Sequence, residues 1–533
     1  MEDGSRNRII PVPAAVMQGS GAFGLQSAVL SVSEAALLPH AERFRGDLAT
    51  YAGLELPSPT VEPDASGGSV RLELGAVERT ARRTRGVRAD GASPDTEVHR
   101  IVIDEAGVTV RGASEEAIGR GLTSLVQLAA LGGGVVPCGT IDDAPELAWR
   151  GLSLDVVRRF LPVDEVKRVI DVLALHKLNV LHLHLTDNEG WRLHIDAWPR
   201  LTEVGATGAA AGRPGGFYTH DDFTELVEYA SERFVTIVPE IDMPGHVAAA
   251  LTAYPQLGVS RPSSAGSLLP VAYLDPNVEE TWRFVEDVLR EVAAISPAPY
   301  LHLGGDETFG MDHDDYVAFV DRAIPIVKGL GKRVVGWQEM CRAGVGPDEV
   351  IQYWIDFASL TGGDEAGPAD AIPSEVRDQL AAHFGEAFSD LARIAEKRSR
   401  LLLSPTSTFY LDHPHGDPST DPAQEERRSR LGLQFYPARS LEAMADWDLS
   451  SAIGDVDPDA VAGIEAALWC ETVETSDDLQ LLLLPRIAGV AELAWNPSRR
   501  PAWSDHRTRL AEHSSMWHRA GWSWFRAASV DWP

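Results

Sequence analysis

Between residues 149 and 471 the sequence repeats one alternation eight times: a short apolar run with strand character, then a stretch with helical spacing. The strand-like runs lie at 151–155, 178–187, 234–242, 300–307, 333–339, 350–355, 401–410 and 463–471. The segments between several of them are amphipathic, as at 163–175, where Val166, Val169, Ile170 and Leu173 share one side of a 3.6-residue period. Strands joined through helices pair in parallel, and eight such units close into a (β/α)8 barrel. The expected fold class is therefore α/β, a TIM barrel over 146–500. Two insertions interrupt it: 356–400, with an acidic, Gly- and Pro-containing stretch at 361–375, and 413–462.

The residues before the barrel read differently. Residues 70–74 alternate with period two, and 98–110 reads as two strands around a turn at 104–107. A helix follows, with Ser114 as its cap, Glu115 and Glu116 in its first turn, and Ile118, Leu122, Leu125, Val126 and Ala129 on one face. Residues 1–145 are expected to form a small α+β domain without chemistry of its own, ending in the segment 141–145. The Trp- and Arg-rich tail, 501–533, is expected to pack on the barrel as a last helix.

Composition removes several function classes. The 44% hydrophobic and 24% charged content is that of a globular protein. A net charge of −32 argues against nucleic acid or an anionic membrane surface as partner. Cys138, Cys341 and Cys470 are too far apart for a zinc spacing or a disulfide framework, which fits a reducing compartment. Residues 1–20 show no basic end followed by an apolar core, and no apolar run approaches the roughly 18–20 residues of a membrane span. The expectation is a soluble, cytoplasmic protein; the oligomeric state is left open.

In a barrel of this kind the chemistry collects at the C-terminal ends of the strands. The fourth run ends His302-Leu303-Gly304-Gly305-Asp306-Glu307. The glycine pair lets the backbone leave the pleat, so two adjacent carboxylates can aim at one cavity. Two like charges so close do not both ionise easily, and one is expected to keep its proton near neutrality, as a general acid must. Arg150 at the entry of the first run, Asp242 and His246 after the third, Trp337 and Trp354 near the ends of the fifth and sixth, Tyr410 and Asp412 after the seventh, and Trp469 and Glu471 after the eighth complete the collection. Singly, each has an ordinary explanation as core, cap or surface residue; their shared location argues for a site. Aromatic walls with several carboxylates and an arginine suit a polyhydroxylated, uncharged ring.

His182 and His184 stand apart. His-x-His on a strand puts both imidazoles on one face, a metal-ligand spacing, so a metal hydrolase is a rival reading. That rival wants further histidines at later strand ends, where Trp337, Trp354 and Tyr410 stand instead, and a structural role is the preferred reading. A catalytically silent sugar-binding barrel is a third, but it has no need of both Asp306 and Glu307.

Seven blocks in order carry a resemblance to a known family. They are Trp149-Arg150-Gly151 with Leu154-Asp155-Val156; Lys177-Leu178-Asn179 through His182-Leu183-His184-Leu185-Thr186-Asp187; Pro239-Glu240-Ile241-Asp242-Met243-Pro244-Gly245-His246; His302 to Glu307; Gly336-Trp337-Gln338-Glu339; Tyr410-Leu411-Asp412; and Leu468-Trp469-Cys470-Glu471. Over nearly its whole length the chain resembles family 20 glycoside hydrolases, the β-N-acetylhexosaminidases. The resemblance implies an exo-acting, retaining enzyme without cofactor or metal, acting on carbohydrate with a terminal N-acetylhexosamine. It also implies substrate-assisted catalysis, in which the 2-acetamido oxygen of the sugar is the nucleophile. On that footing Glu307 is the general acid and then base, and Asp306 the partner of the acetamido N–H. Tyr410 donates to the acetamido oxygen. Trp337, Trp354 and Trp469 wall the acetamido methyl. Arg150, Asp412 and Glu471 hold the ring hydroxyls, and Asp242 with His246 forms a pair that tunes Glu307. One departure is visible: Arg158-Arg159-Phe160 stands where the family often has Arg-His-Phe. Preference between N-acetylglucosamine and N-acetylgalactosamine, which differ only at C4, stays open.

Overall fold

Most of the strand-like runs become strands shorter than the apolar runs announcing them, because the last residues of those runs turn out of the pleat into the site; the first instead keeps its end at Asp155 and begins earlier, at Trp149. A computed structural model describes residues 8–62, 68–261, 271–356, 385–454 and 456–533. Its barrel strands are Trp149–Asp155, Val180–His184, Thr236–Glu240, Tyr300–His302, Arg333–Trp337, Val350–Tyr353, Arg400–Leu403 and Val461–Leu468. They form a closed barrel of parallel strands, and the eighth closes on the first from Gly463↔Trp149 to Leu468↔Leu154.

Two runs are reorganised more than shortened. After His184 the second run leaves the barrel, and Thr186–Asp187 pairs with Gly190–Trp191 in a small antiparallel ladder. The seventh strand stops at Leu403, and the helical turn Thr406–Phe409 intervenes before Tyr410. The chain then rejoins the barrel, with Leu411 N–H donating to the Ala467 carbonyl at 2.8 Å. Of the 356–400 insertion, 357–384 lies outside the described residues. Its end is a helix, Ala387–Lys397, whose buried Asp390 takes Arg342 Nη2 at 2.8 Å.

The barrel interior has an apolar floor and a polar layer above it. Each strand contributes one buried residue to the floor: Trp149, Val180, Val238, Tyr300, Val335, Val350, Leu402 and Ala462, joined by Ala89 from the N-terminal region. Two residues further along, period two brings His182, Glu240, His302, Trp337, Gln352 and Ser404 inward, all fully buried. Layers of side chains filling the barrel are the rule for this fold; a layer of charges is not.

The N-terminal region forms a seven-stranded mixed sheet that includes Ser69–Leu74, His99–Asp104 and Gly107–Gly112. Its helix, Glu115–Leu131, begins where Ser114 Oγ accepts from Ala117 N–H at 3.1 Å. The helix Trp503–Arg519 ties the two ends of the chain together, with Arg509 Nη1 donating to the Ile9 carbonyl at 3.0 Å. No helix among the described residues is long and apolar enough to cross a membrane.

Candidate active site

Gly304 and Gly305 both have left-handed backbone, with φ of 66° and 96°, and this turns the chain away from the fourth strand. A Cβ at Gly304 would lie 1.7 Å from Asp242 Oδ1, and Gly305 N–H donates to that same oxygen at 3.0 Å. The glycines thus dock the acid-bearing segment on Asp242. Glu307 itself takes φ 43°, and His246, which faces it, takes φ 53°. Such backbone costs of order 1–3 kcal/mol per non-glycine residue and collects at functional sites. His246 Nε2 stands 3.5 Å from Glu307 Oε2 and 3.6 Å from Asp306 Oδ2. One ring nitrogen therefore faces both acids.

Burial pushes Asp306 well above the usual carboxylate range, the Asp242 carboxylate adds to this, and His246 works against it. Asp242 is carried up to about 7, again by burial first. Within the Asp-Glu pair it is therefore Asp306 whose carboxyl is pushed up, by burial first and then by the Asp242 carboxylate.

Around the acids stands an aromatic wall. Trp354 lies parallel to Tyr410, with ring centroids 6.2 Å apart and planes 6° from each other. Trp469 packs against both Tyr410 at 6.0 Å and Trp337 at 5.9 Å. Two wall indoles are fixed by carboxylates: Trp337 Nε1 donates to Glu240 at 2.7 Å and Trp354 Nε1 to Glu339 at 3.1 Å. Tyr436, from the 413–462 insertion, meets Tyr410 edge-on at 6.2 Å. Nothing in the irregular sequence around Tyr436 signals it.

Several buried carboxyl atoms here have no protein partner: Asp306 Oδ1, Asp242 Oδ2, Glu339 Oε1, Glu471 Oε2 and both oxygens of Asp412. Native interiors pair most such atoms, so a cluster of them marks a place where a ligand supplies the donors. Burial, then Glu471, carries Asp412 well up. Glu471 rises to about 7, with burial opposed by Arg158.

Two expectations are overturned. Arg150 is not in the site. It sits at the start of the first strand, fully buried below the barrel floor, where Glu97 of the N-terminal region holds it at 2.6 and 3.0 Å and the Lys177 and Leu147 carbonyls take its remaining donors. The arginine at the site is Arg158, three residues past the strand's C-terminal end. It pairs with Asp187 at 2.6 Å and lies 5.3 Å over the Trp469 ring. The rule that barrel sites gather at C-terminal strand ends could have separated the two, since Arg150 precedes its strand's end and Arg158 follows it.

The partner of His246 is likewise not Asp242. His246 Nδ1 bonds to Asp187 Oδ1 at 2.9 Å, while Asp242 serves the glycine turn and the Asp306 carboxyl. Burial opposes a charged His246, but Asp187 first, then Asp306 and Asp242, outweigh it and raise its pKa well above the ordinary imidazole value.

His182 and His184 are buried in the polar layer, and each imidazole has a carboxylate oxygen against both nitrogens. Ligand atoms of His182, Glu240 and His302, of His184, Glu240 and Asp242, and of Asp242, His246 and Asp306 each lie within 4.8 Å of one another, close enough to hold a metal. In the first two groups the histidine nitrogens are already used in hydrogen bonds inside the protein.

Comparison with known proteins agrees with this geometry. Residues 147–498 match the model of the glycosyl hydrolase family 20 catalytic domain, and residues 6–144 match that of the family's domain 2. A β-N-acetylhexosaminidase of Cellulomonas fimi is 38% identical over 443 residues, covering 82% of this chain and 82% of that protein. The structure of the GH20 β-N-acetylhexosaminidase from Streptomyces coelicolor A3(2) superposes with a TM-score of 0.81 at 33% identity, covering 99% of each chain. A mutant β-hexosaminidase of Streptomyces plicatus, in complex with product (GlcNAc), superposes at 0.82 and 33% identity over 99% of this chain and 98% of that one. The chain belongs to glycosyl hydrolase family 20 and is a glycoside hydrolase of the β-N-acetylhexosaminidase type.

Proposed function

We propose that the protein is an exo-acting, retaining β-N-acetylhexosaminidase that releases terminal non-reducing N-acetylglucosamine or N-acetylgalactosamine by substrate-assisted catalysis. The observation that carries this reading is that Asp306 and Glu307 face a single imidazole nitrogen. A retaining enzyme with its own nucleophile needs two carboxyls about 5–5.5 Å apart on opposite sides of the scissile bond. Adjacent acids gathered on one histidine suit instead a division of labour in which one serves the leaving oxygen and the other the acetamido group.

In this mechanism the acetamido oxygen attacks the anomeric carbon as the bond to the leaving oxygen breaks, and Glu307 gives that oxygen its proton. The product is an oxazolinium whose N–H and positive charge face Asp306. The upward push on Asp306 in the free site is relieved as that positive charge develops beside it. Tyr410 donates its hydroxyl to the acetamido oxygen and aligns the attack. Trp337, Trp354 and Trp469 enclose the acetamido methyl. Water then attacks the anomeric carbon while the Glu307 carboxylate takes its proton, and the sugar leaves as the β-anomer. Asp412, Glu471 and Arg158 are assigned to the ring hydroxyls, and the unpartnered oxygens of Asp412 and Glu471 suit acceptors for them.

The test is the anomer first released from an aryl N-acetyl-β-glucosaminide, followed by proton NMR, together with inhibition by a thiazoline mimic of the oxazolinium. Release of the β-anomer and strong inhibition are expected. Release of the α-anomer, or indifference to the thiazoline, overturns the mechanism.

A further inference from the structure

The catalytic acid stands at one end of a buried chain of alternating carboxylates and imidazoles that runs down through the barrel. From its lower end, Glu465 Oε1 meets His182 Nδ1 at 2.9 Å, and His182 Nε2 meets Glu240 Oε2 at 3.0 Å. The same Glu240 oxygen takes His184 Nδ1 at 2.5 Å, and His184 Nε2 meets Asp187 Oδ2 at 2.7 Å. Asp187 Oδ1 then meets His246 Nδ1, whose other nitrogen faces Glu307. Glu465, His182, Glu240, His184 and Asp187 are all at most 1% exposed. Four different strands or strand ends supply these residues, so the chain exists only in the closed barrel.

An imidazole with a carboxylate oxygen against both nitrogens must donate from both, so it is an imidazolium. By that rule His182 and His184 are cations among Glu465, Glu240 and Asp187, while at His246 the charge of Asp187, then Asp306 and Asp242, outweighs burial and raises its pKa well above the ordinary imidazole value. His302 stays outside the count: its Nδ1 accepts from Gly304 N–H at 3.0 Å although Glu240 Oε1 also lies 3.1 Å away, its Nε2 faces Gln352 Oε1 at 3.2 Å, and burial holds its pKa below the ordinary imidazole value. The electrostatics agree. Burial opposes charge on His182 and His184, but Glu240 leads the groups that outweigh it, carrying His182 to about 9 and His184 well above its ordinary value.

Resting on the reading of Glu307 as general acid, we propose that Glu240 and His184, which are too deeply buried to touch the sugar, are positioning residues that act on Glu307 through Asp187 and His246. A neutral His184 could donate to only one of its two carboxylates. As an imidazolium fixed by Glu240, it always presents an N–H to Asp187 Oδ2, which leaves Oδ1 turned to His246. His246 is thereby held as the cation that meets the carboxylate formed when Glu307 gives its proton to the leaving oxygen.

A role of this kind depends on the leaving group; a role in folding or packing does not. In His184→Asn and Glu240→Gln, kcat/KM for 4-methylumbelliferyl N-acetyl-β-glucosaminide, which needs its acid, is expected to fall about 10²-fold. For the 2,4-dinitrophenyl glycoside, whose leaving group departs unprotonated, the loss is expected to stay within about 5-fold, the acid being dispensable there. Equal losses on both glycosides, or none on either, overturn the proposal. Nitrogen-15 NMR of selectively labelled histidine in the wild-type enzyme decides the matter independently should the variants not fold. Two ring protons on His184 at pH 8 are expected, and a single one overturns the chain of charges. If the wild type itself turns over neither glycoside, the proposed function fails instead, and the NMR result still stands on its own.

Discussion

Arg150 and Glu97 form a two-point ion pair, 2.6 and 3.0 Å, at the end of the barrel opposite Asp306 and Glu307. Both side chains are essentially unexposed, and Glu97 also binds Arg88 and Arg120, at 3.1 and 2.8 Å. The pair joins the N-terminal sheet to the barrel floor. Arg150→Gln is expected to destabilise the protein by about 3–5 kcal/mol, the usual cost of leaving one partner of a buried pair alone. KM of the folded fraction should not change. Urea unfolding and steady-state kinetics on the same sample separate the two effects.

Arg158 should behave in the opposite way. Its guanidinium is held in a fixed plane by Asp187 and Glu189 above the Trp469 ring, which a lysine ammonium cannot reproduce. Arg158→Lys is expected to lower kcat/KM at least about tenfold, the scale of one lost charge-assisted hydrogen bond. An unchanged kcat/KM would remove Arg158 from the site.

Tyr410→Phe keeps the ring that stacks on Trp354 and deletes only the hydroxyl. The expected result is a kcat about 10²-fold lower with KM within a few-fold, because a donor aimed at the reacting oxygen acts mainly in the transition state. A rise in KM alone would assign Tyr410 to binding.

Stability should fall as pH rises toward neutrality. Asp242, Glu339 and Glu471 each have pKa values raised to about 7, chiefly by burial, so between their unfolded values near 4 and about 7 the native state binds more protons than the unfolded one. The stability they favour is present below about 4 and is lost as pH passes 7, by up to about 1.4 kcal/mol per group per pH unit. Glu240 and Asp187, held low despite burial by their histidine and arginine partners, act in the reverse sense and lose their contribution in acid. The melting temperature should decline from about pH 5 to 7 and level off above that, and Glu471→Gln should flatten the decline.

Gly304→Ala places a methyl 1.7 Å from Asp242 Oδ1 on a backbone of φ 66°. Strain of about 1–3 kcal/mol from the backbone alone is expected, with displacement of Asp242 in addition. Circular dichroism melting and kcat should fall together.

The barrel itself was legible because apolar strands and amphipathic helices write their periods directly into the chain, and every one of the eight runs became a strand. The aromatic wall and the acid pair were legible as well, since strand ends converge in this architecture whatever the loops do. The helical turn before Tyr410 and the small ladder at Thr186–Asp187 were not, because each depends on where a strand stops once its neighbours are in place.

What the sequence by itself determined is therefore the class of chemistry: two adjacent carboxylates on a glycine turn, with Trp and Tyr at neighbouring strand ends. Only the tertiary structure decided which charges face which. Arg150 and Arg158 differ by eight positions, yet one lies under the barrel floor with Glu97 and the other at its mouth with Asp187. His182, Glu240 and Glu465 come together from strands up to 283 residues apart. Burial and opposite charge set these pKa values, and both are properties of the closed barrel, to which local sequence contributes only the ionisable groups.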